Sequence, residues 1–144
     1  MPRATRENLG YLLAKASQRW NEHLEEGFAE EGFREVRASY GSVLIPLFEE
    51  DGLRMGEVAR RARLSKQTMT TMVRLCERDG LVERRPDPAD RRAARVFLTA
   101  KARRFEPVAE RVLARLERDV DTLLGRDDGK ALRRALARLE RLPR

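Results

Sequence analysis

The 144 residues suffice for one domain with a sizeable core and are short for two. Charged residues make up 38% and aromatics 6%, which leaves an aliphatic core under an ionic surface; one cysteine excludes an intrachain disulfide, and no apolar run is long enough to span a bilayer. Nothing resembles a signal peptide, so the expected compartment is the cytoplasm, with no membrane partner. The formal charge of +7 points toward a polyanion, and its placement says more. Residues 54–104 hold 15 basic and 6 acidic side chains, while the rest of the chain holds 16 and 18. The positive excess lies wholly in one central segment, as an electrostatic footprint for DNA should.

Residues 5–28 read as a long first helix, with Leu9, Leu12, Leu13, Ala16, Trp20, Leu24 and Phe28 on one apolar stripe. A stripe this long needs something to pack against, and a second subunit is the expected answer. A second helix is expected over 33–48, carrying Val36, Tyr40, Val43, Leu44, Leu47 and Phe48, with a kink or tightened last turn near Pro46.

Met55, Val58, Ala59 and Ala62 form a short amphipathic stripe, and Arg63-Leu64 leaves room only for a tight turn. Ser65 can then cap a longer helix whose buried stripe is Met69, Met72, Val73 and Cys76, and Gly80 stands where a left-handed C-cap glycine belongs. The opposite face carries Gln67, Thr70, Thr71, Arg74 and Arg78, all hydrogen-bond donors or acceptors with no acid among them. Taken alone, that is an ordinary solvated face. Joined to the preceding short helix it becomes the second helix of a helix-turn-helix, the one that enters the major groove. Two β-patterned runs follow at 81–85 and 94–98, separated by Pro86-Asp87-Pro88-Ala89-Asp90-Arg91-Arg92. A hairpin directly after a recognition helix is a wing, whose tip can reach a narrow minor groove with arginine. The expected DNA-binding set is therefore Ser65, Lys66, Gln67, Thr68, Thr70, Thr71, Arg74, Arg78, Arg85, Asp90, Arg91 and Arg92.

The stretch over 55–99 resembles the MarR family of winged helix-turn-helix transcription regulators. The resemblance rests on Glu57-Val58-Ala59, Leu64-Ser65, Asp79-Gly80-Leu81-Val82 and, most specifically, Asp87-Pro88-Ala89-Asp90-Arg91-Arg92 leading into Val96-Phe97-Leu98-Thr99. It covers about a third of the chain. It implies that Arg92 is the wing-tip residue placed in the minor groove and that Asp90 orients it. Two departures are Ala102, where many members have glycine, and Cys76, at a core position usually held by leucine.

Thr99 is expected to cap a helix reaching Leu124 and stopping at Gly125, bent at Pro107, and Asp127-Asp128 to begin a last helix carrying Leu132, Leu136, Leu139 and Leu142. In the family resembled, the first and last helices of two subunits interlock; the apolar stripes of these helices make Leu12, Leu13, Leu132 and Leu136 the expected interface residues. The expected architecture is mainly α with a small β-hairpin: a single domain over 1–144, with dimerisation helices at 5–32 and 100–144 and a winged helix-turn-helix lobe at 33–99.

Enzyme chemistry finds no footing. His23 is the only histidine and lies beside the first helix's apolar stripe, where a lone histidine is more often structural than catalytic or metal-bound. Cys76 falls on a buried stripe, whereas a reactive thiol needs exposure and a lowered pKa. There is no phosphate-binding glycine loop, metal-ligand cluster or nucleophile motif, so neither cofactor nor metal is expected. The reading is a homodimeric, sequence-specific binder of a pseudo-palindromic double-stranded operator, a repressor that a small molecule releases. The alternative is a nonspecific architectural DNA-binding protein, which the charge map fits equally. Threonine and glutamine on the recognition face favour base readout, since phosphate binding gains little from them. The resemblance also implies a small aromatic or phenolic effector between the dimerisation helices and the lobe, with Trp20, His23, Arg37 and Tyr40 as the residues that could line its crevice.

Overall fold

The computed structural model describes residues 4–144. Helix α1 (Leu9–Glu30) begins at an Asn8 cap whose side chain accepts the Tyr11 N–H, one turn later than the start expected at residue 5 and at the first residue of the hydrophobic stripe. The single helix expected over 33–48 is not formed. Residues 33–37 are irregular, a 3-10 turn covers Ala38–Tyr40, and α2 occupies only Gly41–Glu49. The cause is a long-range cap: Glu25 of α1 accepts the Ala38 N–H at 2.9 Å, so the chain turns where α1 receives it. Helix α2 then runs through Pro46 without stopping, and the Glu50 N–H still donates to the Pro46 carbonyl at 2.9 Å.

Helix α3 (Met55–Ala62) and helix α4 (Lys66–Arg78) meet through Arg63, whose φ of 55° is left-handed. That residue turns the chain in one step, with the Leu64 N–H returning to the Ala59 carbonyl at 3.0 Å. Ser65 then caps α4 by accepting the Thr68 N–H at 3.1 Å. At the far end Gly80 takes a φ of 78°, a conformation that favours glycine, and the Leu81 N–H closes onto the Cys76 carbonyl at 2.9 Å.

The hairpin of β2 (Val82–Pro86) and β3 (Ala94–Leu98) is joined by a strand absent from the sequence reading, β1 (Leu53–Arg54). The antiparallel order is β1-β3-β2, with Arg54 opposite Arg95 and Arg84 opposite Val96. A two-residue strand carries no periodicity of its own; β3 supplies the edge that it completes.

Helix α5 (Ala100–Leu124) starts at the Thr99 cap and is unbroken through Pro107; α6 (Arg126–Leu139) follows after Gly125. Val58, Met69, Val73, Cys76, Leu81 and Val96 are fully buried in the lobe. Phe105 of α5 meets Phe28 and Phe33 edge-on at 4.8 and 5.1 Å, tying α1 and α5 to that core. At Gly27 a Cβ would lie 2.6 Å from Val112, so the close approach of α1 to α5 depends on glycine there. The outer ends of this helical layer are uncovered: Leu12, Leu132 and Leu136 remain 51, 43 and 41% exposed, and Leu123 reaches 84%.

Candidate nucleic-acid interface

The exposed face of α4 is built by the same periodicity that buries Met69, Val73 and Cys76. Ser65, Lys66, Gln67, Thr68, Thr71, Arg74 and Arg78 lie at the surface, and Thr70 is half-buried between them. The threonine hydroxyls are pre-oriented. Thr70 Oγ1 donates to the Lys66 carbonyl at 2.8 Å and Thr71 Oγ1 to the Gln67 carbonyl at 3.2 Å. Their outward lone pairs are therefore acceptors, suited to an exocyclic amine of adenine or cytosine. Ser65 and Thr68 are engaged with each other, Oγ to Oγ at 2.9 Å, as part of the helix cap.

The basic residues fall into two groups. Among the described residues, no carboxylate pairs with Lys66, Arg74 or Arg91, and the Arg92 side chain is 95% exposed. Those cations face solvent from the helix and the wing loop. Arg78, by contrast, is held by Asp79 at 3.2 Å, and Arg85 pairs with Glu83 while its guanidinium lies 4.3 Å over the Phe97 ring. Both remain surface residues, but a phosphate would have to compete for them. Asp90 accepts the Arg92 backbone N–H at 3.0 Å, and its carboxylate lies 3.6 Å from the Arg92 guanidinium.

Beneath the wing is a cluster that sequence reading missed. Asp87 is 1% exposed; its Oδ2 lies 2.5 Å from Arg54 Nε and 3.5 Å from Arg95 Nε. No hydrogen bond of good angle reaches that oxygen, so charge and proximity hold the group. The Ala89 N–H that Oδ1 accepts, seconded by the two guanidiniums against the cost of burial, keeps the carboxyl below the usual range. Arg54 stands 33 positions from Asp87 on a strand that the sequence did not reveal, so no local signal pointed to the pair.

The four residues expected around an effector do not gather. An apolar cleft of about 170 Å³ lies between α1, α2 and α5, lined by Leu24, Phe28, Leu44, Phe48, Phe105 and Leu113, and Arg37 reaches it. Tyr40 does not: as the last residue of the 3-10 turn it is buried toward α4, where its hydroxyl donates to Asp79. Trp20 packs half-buried against the core and His23 is exposed on α1, and neither lines this cleft. Of the four residues named for an interface, two share a recess. Leu13 and Leu136 line one shallow apolar recess where the start of α1 meets the end of α6, and Leu12 and Leu132 are exposed on those same helices. Among the described residues, no group of three His, Cys, Asp or Glu side chains could hold a metal ion, and no helix is long and apolar enough to cross a membrane.

A sequence model of the MarR family matches residues 47–93. The transcriptional regulator TtmR of Methylorubrum extorquens is 39% identical over 61 residues, 42% of this chain; the match spans 31% of that protein's length. Among solved structures, the transcriptional repressor CouR bound to a 23-mer DNA duplex is 30% identical, covering 98% of this chain and 99% of that one, with a TM-score of 0.80. CouR bound to p-coumaroyl-CoA aligns at 28% identity over the same shares, again with a TM-score of 0.80. PcaV of Streptomyces coelicolor, solved with its natural ligand, shares the fold at 22% identity, 97% coverage of both chains and a TM-score of 0.79.

Proposed function

The chain belongs to the MarR family of winged helix-turn-helix transcription regulators, which are not enzymes, and from that premise we propose that it is a homodimeric repressor of a pseudo-palindromic DNA operator. The helices within 5–32 and 100–144 join two subunits, and the lobe over 33–99 meets DNA. The observation that carries this reading is the acid-free face of α4, with Gln67, Thr70, Thr71 and Arg74 outward, beside a wing that extends Arg91 and Arg92 into solvent. The helix is the size a major groove admits, and the wing loop reaches toward the adjacent minor groove. Likeness over nearly the full chain to CouR, a repressor solved on a DNA duplex, supports the same partner here.

A small aromatic or phenolic molecule is the proposed releasing signal. The cleft between α1, α2 and α5, of about 170 Å³ and chiefly apolar, supports this, as does the likeness to CouR with p-coumaroyl-CoA bound. Among the residues first named for that role, Arg37 alone borders the cleft.

Selection from random DNA followed by titration tests the reading. A recovered two-fold motif, bound at least about 10³ times more tightly than scrambled duplex at the same salt, is the expected result. A ratio near one would make the protein an architectural binder instead.

A further inference from the structure

We propose that Arg54, Asp87 and Arg95 form a latch that sets the wing, so that Arg54 acts by positioning the Arg92 loop rather than by binding a phosphate. The proposal rests on the reading of the wing as a DNA contact.

Asp87 is the one buried charged side chain among the described residues. It is also the node from which the wing loop hangs. Its N–H donates to the Ala93 carbonyl at 3.0 Å, its carbonyl accepts the Asp90 N–H at 3.2 Å, and its Oδ1 accepts the Ala89 N–H at 2.9 Å. From Asp90 the chain of bonds continues to the tip, where the Ala93 and Arg92 N–H groups are both accepted at 3.0 Å. Every one of these loop bonds thus leads back to Asp87, whose backbone makes two of them and whose carboxylate makes a third; the second carboxylate oxygen has only guanidiniums beside it.

Those guanidiniums come from outside the loop. Arg54 and Arg95 are directly opposite each other on β1 and β3, and like charges so placed repel unless an anion lies between them. Asp87 is that anion. Arg95 is also fixed by donating to the Gly52 carbonyl at 2.9 Å. Arg54 is the residue immediately before α3, so the latch ties the wing base to the entrance of the helix-turn-helix. Removing either arginine leaves a buried carboxylate short of countercharge, which the loop relieves by opening toward water.

The test measures backbone hydrogen exchange in the free protein, and DNA affinity at several salt concentrations, for Arg54→Gln, Arg54→Lys, Asp87→Asn and Arg92→Ala. Half of the Arg54 side chain is exposed, so its variants keep the fold. Arg54→Gln and Asp87→Asn should each speed exchange at Ala89 and Ala93 by about tenfold with α4 unchanged, and combining them should add little. Arg54→Lys should restore much of the protection. On DNA, Arg54→Gln should lose several-fold in affinity at an unchanged salt slope, whereas Arg92→Ala should lower the slope by about 1. Unchanged wing exchange in Arg54→Gln, or a slope reduced by about 1, would overturn the latch; the latter makes Arg54 a phosphate ligand. If the native protein bound no DNA, the functional reading would fall while exchange still decided the latch.

Discussion

The Tyr40 hydroxyl donates to Asp79 Oδ2 at 2.5 Å, joining the turn ahead of α2 to the residue that ends the recognition helix. Arg78 adds two bonds to the same carboxylate, and Lys101 donates to the Asp79 carbonyl at 2.8 Å while pairing with Glu35 at 2.7 Å. The C-terminus of α4 is therefore clamped from α2's side and from α5 at once. A recognition helix can hold base-reading side chains in register only if its own axis is fixed, and this clamp supplies part of that constraint.

Tyr40→Phe should cost about 1.5–3 kcal/mol, the usual net contribution of a hydrogen bond to a charged acceptor. Burial, with Asp79 as acceptor, pushes the Tyr40 pKa from 10.0 up to about 12. Its raised folded value means that this stabilisation is fully present below pH 10 and is lost as pH rises toward 12. Denaturant melts of both proteins at pH 8 and pH 11 should therefore converge at the higher pH. Equal differences at both pH values would show that the hydroxyl is not held in this bond.

The exposed leucines at the ends of α1 and α6 predict linked folding and association. Melting temperature should rise with protein concentration, each tenfold increase adding about 1.4 kcal/mol for a two-chain equilibrium. Leu136→Asp should abolish that dependence by placing a charge in the recess that Leu136 shares with Leu13, and Leu132→Asp by placing one on the exposed apolar face of the same helix. Sedimentation that finds a stable folded monomer of the native chain at micromolar concentration would remove the basis for the dimer.

Cys76 should be inert. Burial, with a smaller contribution from Asp79, raises its thiol to about 12, so thiolate is scarce at neutral pH. Peroxide should leave DNA binding unchanged, and Cys76→Ser should cost about 1–3 kcal/mol by placing a hydroxyl among Met69, Val73 and their neighbours. DNA release by peroxide that disappeared in the serine variant would contradict this placement.

The local features of this fold were legible in the sequence wherever one residue could decide them. Ser65 and Gly80 bracket α4 because a hydroxyl cap and a left-handed C-cap each act within a few residues. The two hairpin strands were visible for the same reason. The division of residues 33–48 was not, because a carboxylate on α1 starts the 3-10 turn from 13 positions away. Nor was the role of Tyr40, which the family resemblance set beside an effector crevice while its hydroxyl reaches a residue 39 positions on. For the DNA-facing set, helical period named the exposed face; it could not tell that Arg78 and Arg85 are already paired with neighbouring acids.

That difference in pairing sharpens the contrast between the helix and the wing. Gln67 and Thr71 are exposed near the start of α4, and the Thr71 hydroxyl, already donating to the Gln67 carbonyl, is left an acceptor. Alanine at either position should cost about 1–3 kcal/mol on the operator and relax base preference at one position per half-site. Arg92 extends from the wing with its guanidinium almost fully in solvent, where the minor groove offers shape and charge rather than a full base code. Arg92→Ala should weaken operator and scrambled DNA together and lower the salt slope by about 1. Arg78→Ala and Arg85→Ala should lower it by less, since Asp79 and Glu83 already share their charge. Titrations of these variants against operator and scrambled duplex at several salt concentrations separate the two roles by specificity ratio rather than by affinity. If Arg92→Ala erased discrimination at major-groove positions while Gln67→Ala and Thr71→Ala did not, the assignment of reading helix and wing would have to be exchanged.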